Sequence, residues 1–282
     1  MRVGLFKSTC AKNGLRIMDL FYEGIAKVGD KPVFLDDLSS DIDVSVIWSV
    51  LFTNKERKKI YDYYSRLKKK IIILEVGGIL RNLTWRIGVN NINGEGKFPF
   101  IKNNSRWNLF NKKVKEYSLS GNKILICGQN EFSMNWPKNL TTESWVKKII
   151  FELRKYTDKK IIFSHHPRFF VKFKEKLDCE IISPKFKGNY DEYNLEDMLD
   201  NCSLLINYNS NSALEAVFNG INVFVDKTSL CYDVSIKSLS NVNNLKAMDR
   251  TEWLEKISYT EWFEDEIREG IPYYLLKEQK LI

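Results

Sequence analysis

A run of small polar residues separates an apolar strand at residues 204–206 from an amphipathic stretch at residues 211–219. The free N–H groups and the positive dipole end of a helix bind anions, and short hydroxyl and amide side chains can add hydrogen bonds to a phosphate. Glu215 comes one turn later, where a carboxylate can grip ribose hydroxyls. The alternative is that a serine or asparagine of the turn only caps the helix. The turn residues that could contact a phosphate are Ser210, Asn211 and Ser212.

A second group of candidate residues follows the apolar strand at residues 161–163, in the order Ser164-His165-His166-Pro167-Arg168. Ligands of open parallel sheets bind outside the carboxyl ends of the strands. There Arg168 can hold a phosphate with two hydrogen bonds, and His166 can donate beside it. Ordinary surface side chains are the alternative, but both histidines of the chain lie at this one strand end, which favours a binding site. The turn after a third apolar strand adds Gly128 and Gln129.

These candidate residues require a fold that brings the ends of several strands together. Apolar runs alternate with amphipathic helical patterns up to about residue 78 and again over residues 123–225, which predicts parallel sheets with helices on both faces. The rhythm breaks over residues 84–123, and residues 251–276 are predicted to be helical. We therefore predict an α/β protein with two Rossmann-like domains. Their limits are residues 1–117 and 118–250, followed by a helical segment, residues 251–282, that packs back on the first domain.

The composition restricts the classes of partner and of site. The net charge of +8 suggests an anionic partner such as a nucleotide or nucleic acid, although scattered lysines often only solvate a surface. Five dispersed cysteines and two adjacent histidines predict reduced thiols and no metal site. The first residues read as a core strand and not as a secretion signal, and no apolar run is long enough to span a membrane. We therefore expect a cytoplasmic protein without a membrane partner.

Together the two strand-end segments resemble the nucleotide-sugar-binding domains of GT-B glycosyltransferases, especially Kdo- and capsule-type transferases and uncharacterised bacteriophage proteins. His166-Pro167 matches a His-Pro motif of that family. Asn211-Ser212-Ala213-Leu214-Glu215-Ala216 followed by Gly220-Ile221-Asn222-Val223 matches its pattern S-x-x-x-E-A-x-x-x-G-x-P-V. The usual proline is Asn222 here, and the arginine common two residues before the histidine is Ser164, which leaves one cation fewer for a diphosphate. The likeness covers about residues 123–226.

The resemblance implies a GT-B-like fold, in which two Rossmann-like domains face a cleft. It also implies a nucleotide-sugar as co-substrate, for which we expect a UDP-sugar, and no tightly bound cofactor. We predict that the nucleotide-sugar-binding residues, which should converge on one pocket, are Gly128, Gln129, His166, Arg168, Ser210, Asn211, Ser212 and Glu215.

The N-terminal half resembles the bacteriophage proteins through Val46-Ile47-Trp48-Ser49, Glu75-Val76-Gly77-Gly78 and Thr84-Trp85-Arg86-Ile87-Gly88, and the C-terminal region through Tyr259-Thr260-Glu261-Trp262. Several of these residues fall at predicted strand ends. The resemblance implies that these strand ends face the cleft between the domains. Glu75 is the candidate general base for an acceptor hydroxyl, and capping of backbone N–H groups is its alternative role. The predicted acceptor-binding residues are Lys7, Ser8, Trp48, Gly77, Gly78 and Arg86.

The predicted activity is transfer of a sugar from a nucleotide donor. The bacteriophage likeness and the basic charge make a hydroxymethylated base in double-stranded DNA the predicted acceptor. Phosphate contacts would come from Arg57-Lys58-Lys59, Lys68-Lys69-Lys70 and Lys112-Lys113. A surface glycan is the alternative acceptor, and a non-catalytic nucleotide- or nucleic-acid-binding protein is the alternative from another class. The sequence carries no signal for the oligomeric state.

Overall fold

A computed structural model describes residues 1–102, 105–187 and 193–282. The chain divides into two compact units. Unit 1 comprises residues 1–112 and 251–282, and unit 2 comprises residues 113–250. The predicted limits lay after residues 117 and 250. No helix in the described part of the chain is long and apolar enough to cross a lipid bilayer.

The strands and helices alternate over most of the chain. In order they are β1 (Arg2–Leu5), α1 (Gly14–Lys27), β2 (Lys31–Phe34), β3 (Val44–Trp48), α2 (Lys55–Arg66), β4 (Lys70–Val76), β5 (Thr84–Val89), α3 (Ser105–Asn108), β6 (Lys123–Cys127), α4 (Thr142–Leu153), β7 (Lys160–Ser164), β8 (Glu180–Ile182), α5 (Leu195–Leu199), β9 (Cys202–Ile206), α6 (Ser212–Phe218), β10 (Asn222–Phe224), α7 (Thr251–Ser258), β11 (Glu261–Phe263), α8 (Glu264–Arg268) and α9 (Ile271–Glu278).

Unit 1 is built on a six-stranded sheet with the strand order β11-β5-β4-β3-β1-β2. Strands β1 to β4 pair in parallel, whereas β5 runs antiparallel to β4 and β11 runs antiparallel to β5. Strand β3 is buried along its whole length, as expected for a parallel strand covered on both faces. Because parallel strands end at the same edge of a sheet, the loops after β1, β3 and β4 emerge together.

Helix α1 holds the C-terminal segment against the sheet of unit 1. Its apolar positions recur at helical spacing, and Ile17, Phe21 and Ile25 are fully buried. A Cβ atom on Gly24 would collide with the carbonyl oxygen of Ile267, so the absence of a side chain lets α8 approach α1 closely. Residues 251–282 therefore complete the core of unit 1.

Two segments of unit 1 differ from the sequence-based expectation. Residues 84–89, predicted to break the pattern, form β5, and residues 261–263, predicted to be helical, form β11. The two strands pair with each other, with Arg86 opposite Glu261. A charged residue inside β5 concealed the strand, because the carboxylate that compensates it comes from the far end of the chain.

Unit 2 contains a five-stranded sheet with the order β10-β9-β6-β7-β8, and all its strand pairs are parallel. Helix α4 begins at Thr142, where the side chain of the N-cap residue Thr141 accepts a hydrogen bond from Ser144 N. Helix α6 ends before Gly220, whose φ of +72° gives the left-handed backbone that commonly ends a helix. The carboxyl ends of β6, β7, β9 and β10 meet at one edge, and this edge carries the candidate residues of unit 2.

Candidate functional site

A pair of amide side chains joins two turns at the carboxyl edge of the unit 2 sheet. Gln129 Nε2, after β6, donates to Asn209 Oδ1, after β9, at 2.7 Å, and Asn209 N donates to Gln129 Oε1 at 3.1 Å. Asn209 Nδ2 donates further to Thr228 Oγ1 at 2.8 Å, in the loop after β10. Gln129 is only 5% exposed, so it supports the turn after β9 from beneath the surface. These hydrogen bonds hold the loops after β6, β9 and β10 together at the edge of the sheet.

Asn207 fixes the serines that open α6. Its Nδ2 donates to Ser210 Oγ at 3.0 Å and to Ser212 Oγ at 2.7 Å, and the two hydroxyl oxygens lie 2.9 Å apart. Asn207 is buried, whereas both serines are half-buried. The two hydroxyls therefore stand side by side at a position that the buried amide sets before any ligand arrives.

The accessible face of α6 carries the predicted ribose-binding carboxylate. Ser212, Glu215 and Asn219 are all half-buried and lie on one helical face. Asn219 Nδ2 donates to Glu215 Oε1 at 2.8 Å, which restrains the carboxylate. Asn211 occupies the N-cap position, and its side chain makes no capping hydrogen bond to this helix, all of which is described. The capping alternative for Asn211 is therefore wrong.

The two histidines have different surroundings. His165 is buried and stacks on the ring of Phe170, with a centroid separation of 4.5 Å, and burial lowers its pKa. His166 is half-buried, and its Nδ1 accepts a hydrogen bond from Arg168 N at 3.1 Å. Any proton that neutral His166 donates to a ligand therefore sits on Nε2. The Arg168 side chain is exposed.

Gly128 allows the turn after β6 to lie against the turn after β7. Its N–H donates to Ser164 O at 2.8 Å, and a Cβ atom at this position would lie 3.2 Å from His166 N. Because β6 lies between β7 and β9 in the sheet, its turn contacts both neighbouring turns. All eight predicted nucleotide-sugar-binding residues therefore lie at or next to one sheet edge.

Sequence reasoning missed Asn207, Asn209 and Thr228, which hold this edge together. Each lies within a few residues of the end of an apolar strand, and this is the same rule that selected Ser210. A buried amide in such a position has to find hydrogen-bond partners, and the serines and Gln129 supply them. Position near a strand end could therefore have identified these three residues in the sequence. Their role is to support the site and not to face a ligand.

In unit 1, the predicted general base lies above a buried arginine. Glu75 is half-buried near the end of β4, and its Oε1 accepts a hydrogen bond from its own neighbour, Val76 N, at 3.0 Å. Arg57 is 7% exposed and donates to Leu51 O at 3.0 Å and Thr9 O at 2.7 Å. Burial lowers the pKa of Arg57, and the Glu75 carboxylate opposes that shift. Arg57 thus ties the loops after β1 and β3 together beside Glu75, and its predicted contact with DNA phosphates is wrong.

The buried carboxylate of Glu261 accounts for the position of three sequence motifs of unit 1, those around Gly77, Arg86 and Glu261. Glu261 accepts hydrogen bonds from Gly78 N at 2.7 Å, Ile79 N at 3.0 Å and Thr84 Oγ1 at 2.8 Å, and it pairs with Arg86 Nη2 at 2.6 Å. A Cβ atom on Gly77 would lie 2.5 Å from Thr84 O, so only glycine fits there. The motifs around Gly77, Arg86 and Glu261 meet in one fully enclosed cluster.

The predicted acceptor residues are therefore divided between the surface and the core. Lys7 is half-buried and bonds both carboxylate oxygens of Asp19 at 2.6 and 2.7 Å, and Ser8 is exposed. Trp48 is buried against Gly14, where a Cβ atom would lie 2.4 Å from its ring. The structure thus shows packing for Trp48 and ion pairing for Arg86, and it leaves Lys7, Ser8 and Gly78 with accessible surface.

The comparisons with known proteins bear on the fold. No protein-family model matches the sequence, and no curated protein matches it. Two solved structures of KpsC from Thermosulfurimonas dismutans are similar. The beta Kdo 2,4 transferase has a TM-score of 0.52 and 11% identity over 92% of this chain and 90% of that chain. The beta Kdo 2,7 transferase has a TM-score of 0.52 and 13% identity over 99% and 100%. The predicted GT-B-like α/β fold is confirmed, and the likeness to bacteriophage proteins stays a prediction.

Proposed function

We propose that the protein is a glycosyltransferase whose unit 2 binds a nucleotide-sugar donor. The observation that carries this proposal is the turn after β9, where the buried Asn207 amide presents the hydroxyls of Ser210 and Ser212 at the carboxyl edge of a parallel sheet. In open α/β sheets this edge is where ligands bind. The fold likeness to proteins named as Kdo transferases supports the same reaction class.

The donor would be held through its phosphate and its ribose. Ser210 and Ser212 offer hydroxyls to a phosphate oxygen, and the Arg168 guanidinium and the Nε2 atom of His166 add donors from the neighbouring turn. Glu215 accepts from ribose hydroxyls on the exposed face of α6. A UDP-sugar is the donor that we propose first, and a sugar linked to a nucleoside monophosphate would use the same contacts.

In the chemical step, unit 1 supplies the general base. The Glu75 carboxylate takes the proton of the acceptor hydroxyl as the acceptor oxygen bonds to the anomeric carbon. The bond from that carbon to the phosphate oxygen breaks, and the nucleotide leaves with the electron pair. Arg57, buried beside Glu75, donates to Thr9 O and Leu51 O and so holds the loops after β1 and β3 next to this carboxylate.

For the acceptor we propose a hydroxymethylated base in double-stranded DNA, with a surface glycan as the second candidate. The net charge of +8 and exposed lysines such as Lys58, Lys59 and Lys68 support the first. The structural similarity to Kdo transferases supports the second. A base in duplex DNA would have to leave the stack before its hydroxyl could reach a carboxylate.

Sugar transfer measured by mass spectrometry tests both the reaction and the acceptor. Hydroxymethylated DNA, unmodified DNA and glycan acceptors would each be incubated with a panel of nucleotide-sugars. We expect a mass gain on hydroxymethylated DNA alone, and we expect Glu75→Gln to abolish it while donor binding persists. A gain on glycans only would replace the DNA proposal, and donor binding without any transfer would favour a non-catalytic binding protein.

A further inference from the structure

The side-chain amide of Asn207 can adopt only one orientation in the turn after β9. Asn207 is 1% exposed, and its Nδ2 atom lies 3.0 Å from Ser210 O, 3.0 Å from Ser210 Oγ and 2.7 Å from Ser212 Oγ. A backbone carbonyl oxygen only accepts hydrogen bonds, so the amide must direct its NH2 group, and not its oxygen, toward the serines. The Oδ1 atom is buried and has no hydrogen-bond partner among the described residues. Because an unsatisfied buried acceptor is unfavourable, packing alone does not account for an asparagine here.

The orientation of this amide sets the direction of hydrogen bonding in the serine pair. An NH2 group donates, so the serine oxygens accept on the side that faces Asn207 and their protons must point elsewhere. Ser210 Oγ and Ser212 Oγ lie 2.9 Å apart, and one of the two hydroxyls therefore donates to the other. Both hydroxyls border the proposed phosphate position, but a single proton of the pair is left to reach a ligand.

The neighbours of Ser212 indicate which proton is left. Burial raises the pKa of the thiol of Cys127, at the end of β6, to about 12, and a hydrogen bond with the Ser212 side chain acts against this shift. The Ser212 proton thus has two acceptors inside unit 2, the Ser210 oxygen and the Cys127 sulfur. Among the described residues, Ser210 Oγ contacts only Asn207 and Ser212. The Ser210 proton is therefore the one that can turn outward.

We propose that Asn207 is a positioning residue that polarises the serine pair, so that Ser212 donates within unit 2 and Ser210 donates to an ionised phosphate oxygen of the ligand. The hydrogen bonds run in one direction, from the buried amide through the serines to the ligand, and the bonds of such a chain strengthen one another. The inference rests on the proposed function and assigns the phosphate, and not the ribose or the base, to the Ser210 hydroxyl.

An ionised phosphate oxygen suits this hydroxyl because the oxygen accepts hydrogen bonds and carries no proton of its own. A hydrogen bond to an ionised group is roughly twice as strong as one between neutral groups. A nucleoside lacks this oxygen and leaves the Ser210 proton without the acceptor for which it is oriented. The arrangement therefore predicts discrimination between a nucleotide and its nucleoside, and this discrimination requires an amide at residue 207.

A second serine pair with the same spacing provides an internal comparison. Ser238 Oγ and Ser240 Oγ lie 2.7 Å apart, but both residues are exposed. Within the described part of the chain, no side-chain amide donates to either hydroxyl, and Ser238 Oγ accepts from Ser240 N instead. Spacing alone therefore does not place a buried donor behind two serines, and this pair is a matched control.

Titration calorimetry with nucleotides tests the proposal. The probes are the mono- and diphosphates of uridine, cytidine, adenosine and guanosine, together with the four nucleosides. For the nucleotide that binds most tightly, we expect Ser210→Ala and Asn207→Asp each to raise the dissociation constant at least about tenfold at about pH 8. The first change removes the donor, and the second supplies an acceptor that draws both serine protons inward. Ser240→Ala should bind as the wild type does.

The pH dependence separates this role from a merely structural one. A buried carboxyl group has a raised pKa, and its protonated form can donate as the amide does. The dissociation constant of Asn207→Asp, divided by that of the wild type, should therefore fall toward one as the pH is lowered to about 5. The ionisable groups around the turn are the same in both proteins, so their titration cancels in this ratio. These groups are Cys127, Glu215, His166 and Arg168.

Three outcomes overturn the proposal. If no nucleotide binds the wild type, the proposed function falls with it. If nucleotides bind but Ser210→Ala and Asn207→Asp keep the wild-type affinity, the donor site stands without this role of Asn207. A ratio that stays constant with pH assigns Asn207 to structure alone.

A further variant decides the matter if near-ultraviolet circular dichroism shows that Asn207→Asp does not fold. Ser212→Ala should weaken nucleotide binding less than Ser210→Ala does, because Ser210 can still accept from Asn207 and donate outward. Equal losses in the two variants, or a larger loss in Ser212→Ala, would contradict the proposed direction of the hydrogen bonds.

Discussion

At the scale of single residues, unit 1 depends on one enclosed carboxylate. Glu261 receives two backbone N–H groups, one hydroxyl and one guanidinium, and it has no exposed surface. A buried ion pair of this kind is costly to break, because removal of one partner strands the other charge in the core. The loop after β4, which carries Gly77 and Gly78, is held in place by the same oxygens.

Replacement of this carboxylate should destabilise unit 1 strongly. We expect Glu261→Ala to lower the free energy of unfolding by about 3–5 kcal/mol, because Arg86 and the loop N–H groups lose their acceptor. Urea unfolding followed by tryptophan fluorescence measures this. The control is Glu264→Ala, which removes a partly exposed partner of Arg16 and should cost less than about 1 kcal/mol. Equal losses in the two variants would contradict the account.

A second carboxylate should make stability depend on pH. Burial acts to raise the pKa of Asp30, but hydrogen bonds from Lys277, the N-terminal ammonium group and Tyr273 outweigh it and lower the pKa from 3.8 to about 2. Because the pKa is lower in the folded state, the stabilisation is complete above pH 3.8 and is lost as the pH falls toward about 2. It corresponds to about 2 kcal/mol.

Asp30→Asn isolates this contribution. The variant should be less stable than the wild type above pH 4, and the difference should shrink as acid protonates Asp30 in the wild type. Measurements of the free energy of unfolding across this range decide the matter. Parallel curves for the two proteins would show that Asp30 contributes no linkage.

At the scale of elements, glycines set how closely the helices of unit 1 approach. Gly270, between α8 and α9, has a φ of +77°, and a Cβ atom there would lie 2.5 Å from Gly24 O on α1. Gly29, just after α1, has a similar φ of +86° but no atom within 4 Å of such a Cβ. Both positions therefore require a left-handed backbone, but only at Gly270 would a side chain collide with a neighbouring helix.

Comparison of two alanine variants separates these effects. Gly29→Ala should cost about 1–2 kcal/mol for the left-handed backbone alone. Gly270→Ala should cost clearly more, because the methyl group also pushes α1 from α8. Thermal unfolding of the two variants provides the test, and equal shifts in Tm would contradict the proposed close contact.

The elements also show what the sequence could predict. Local patterns identified the alternation of parallel strands and amphipathic helices, because apolar spacing is a property of neighbouring residues. They failed for β5 and β11, where Arg86 lies inside a strand and Glu261 inside a predicted helix. The burial of each charge is possible only because the other charge pairs with it, and the two residues lie 175 positions apart in the sequence. The same limit applies to Trp48, whose strand-end position was predicted but whose burial against Gly14 was not.

At the scale of the whole molecule, the net charge overstates the free basic surface. Arg57 is enclosed by the loops that it joins, and the Lys69 ammonium group donates to Ser40 O and Ile42 O at 2.5 Å. Arg86 and Arg106 are buried in ion pairs of unit 1. The composition suggested an anionic partner, but only the structure separates cations that can meet one from cations that stabilise the fold.

The central claim is that unit 2 binds a nucleotide-sugar at the carboxyl edge of its sheet. Titration calorimetry with a panel of sugars linked to nucleoside mono- and diphosphates tests it most directly. We predict that at least one member binds and that Arg168→Ala weakens binding about tenfold or more, because a charge-assisted contact to phosphate is lost. Lys155→Ala, which removes an exposed cation just after α4, should leave the affinity unchanged. A panel without any binder, or an Arg168→Ala variant that binds as the wild type does, would contradict the account.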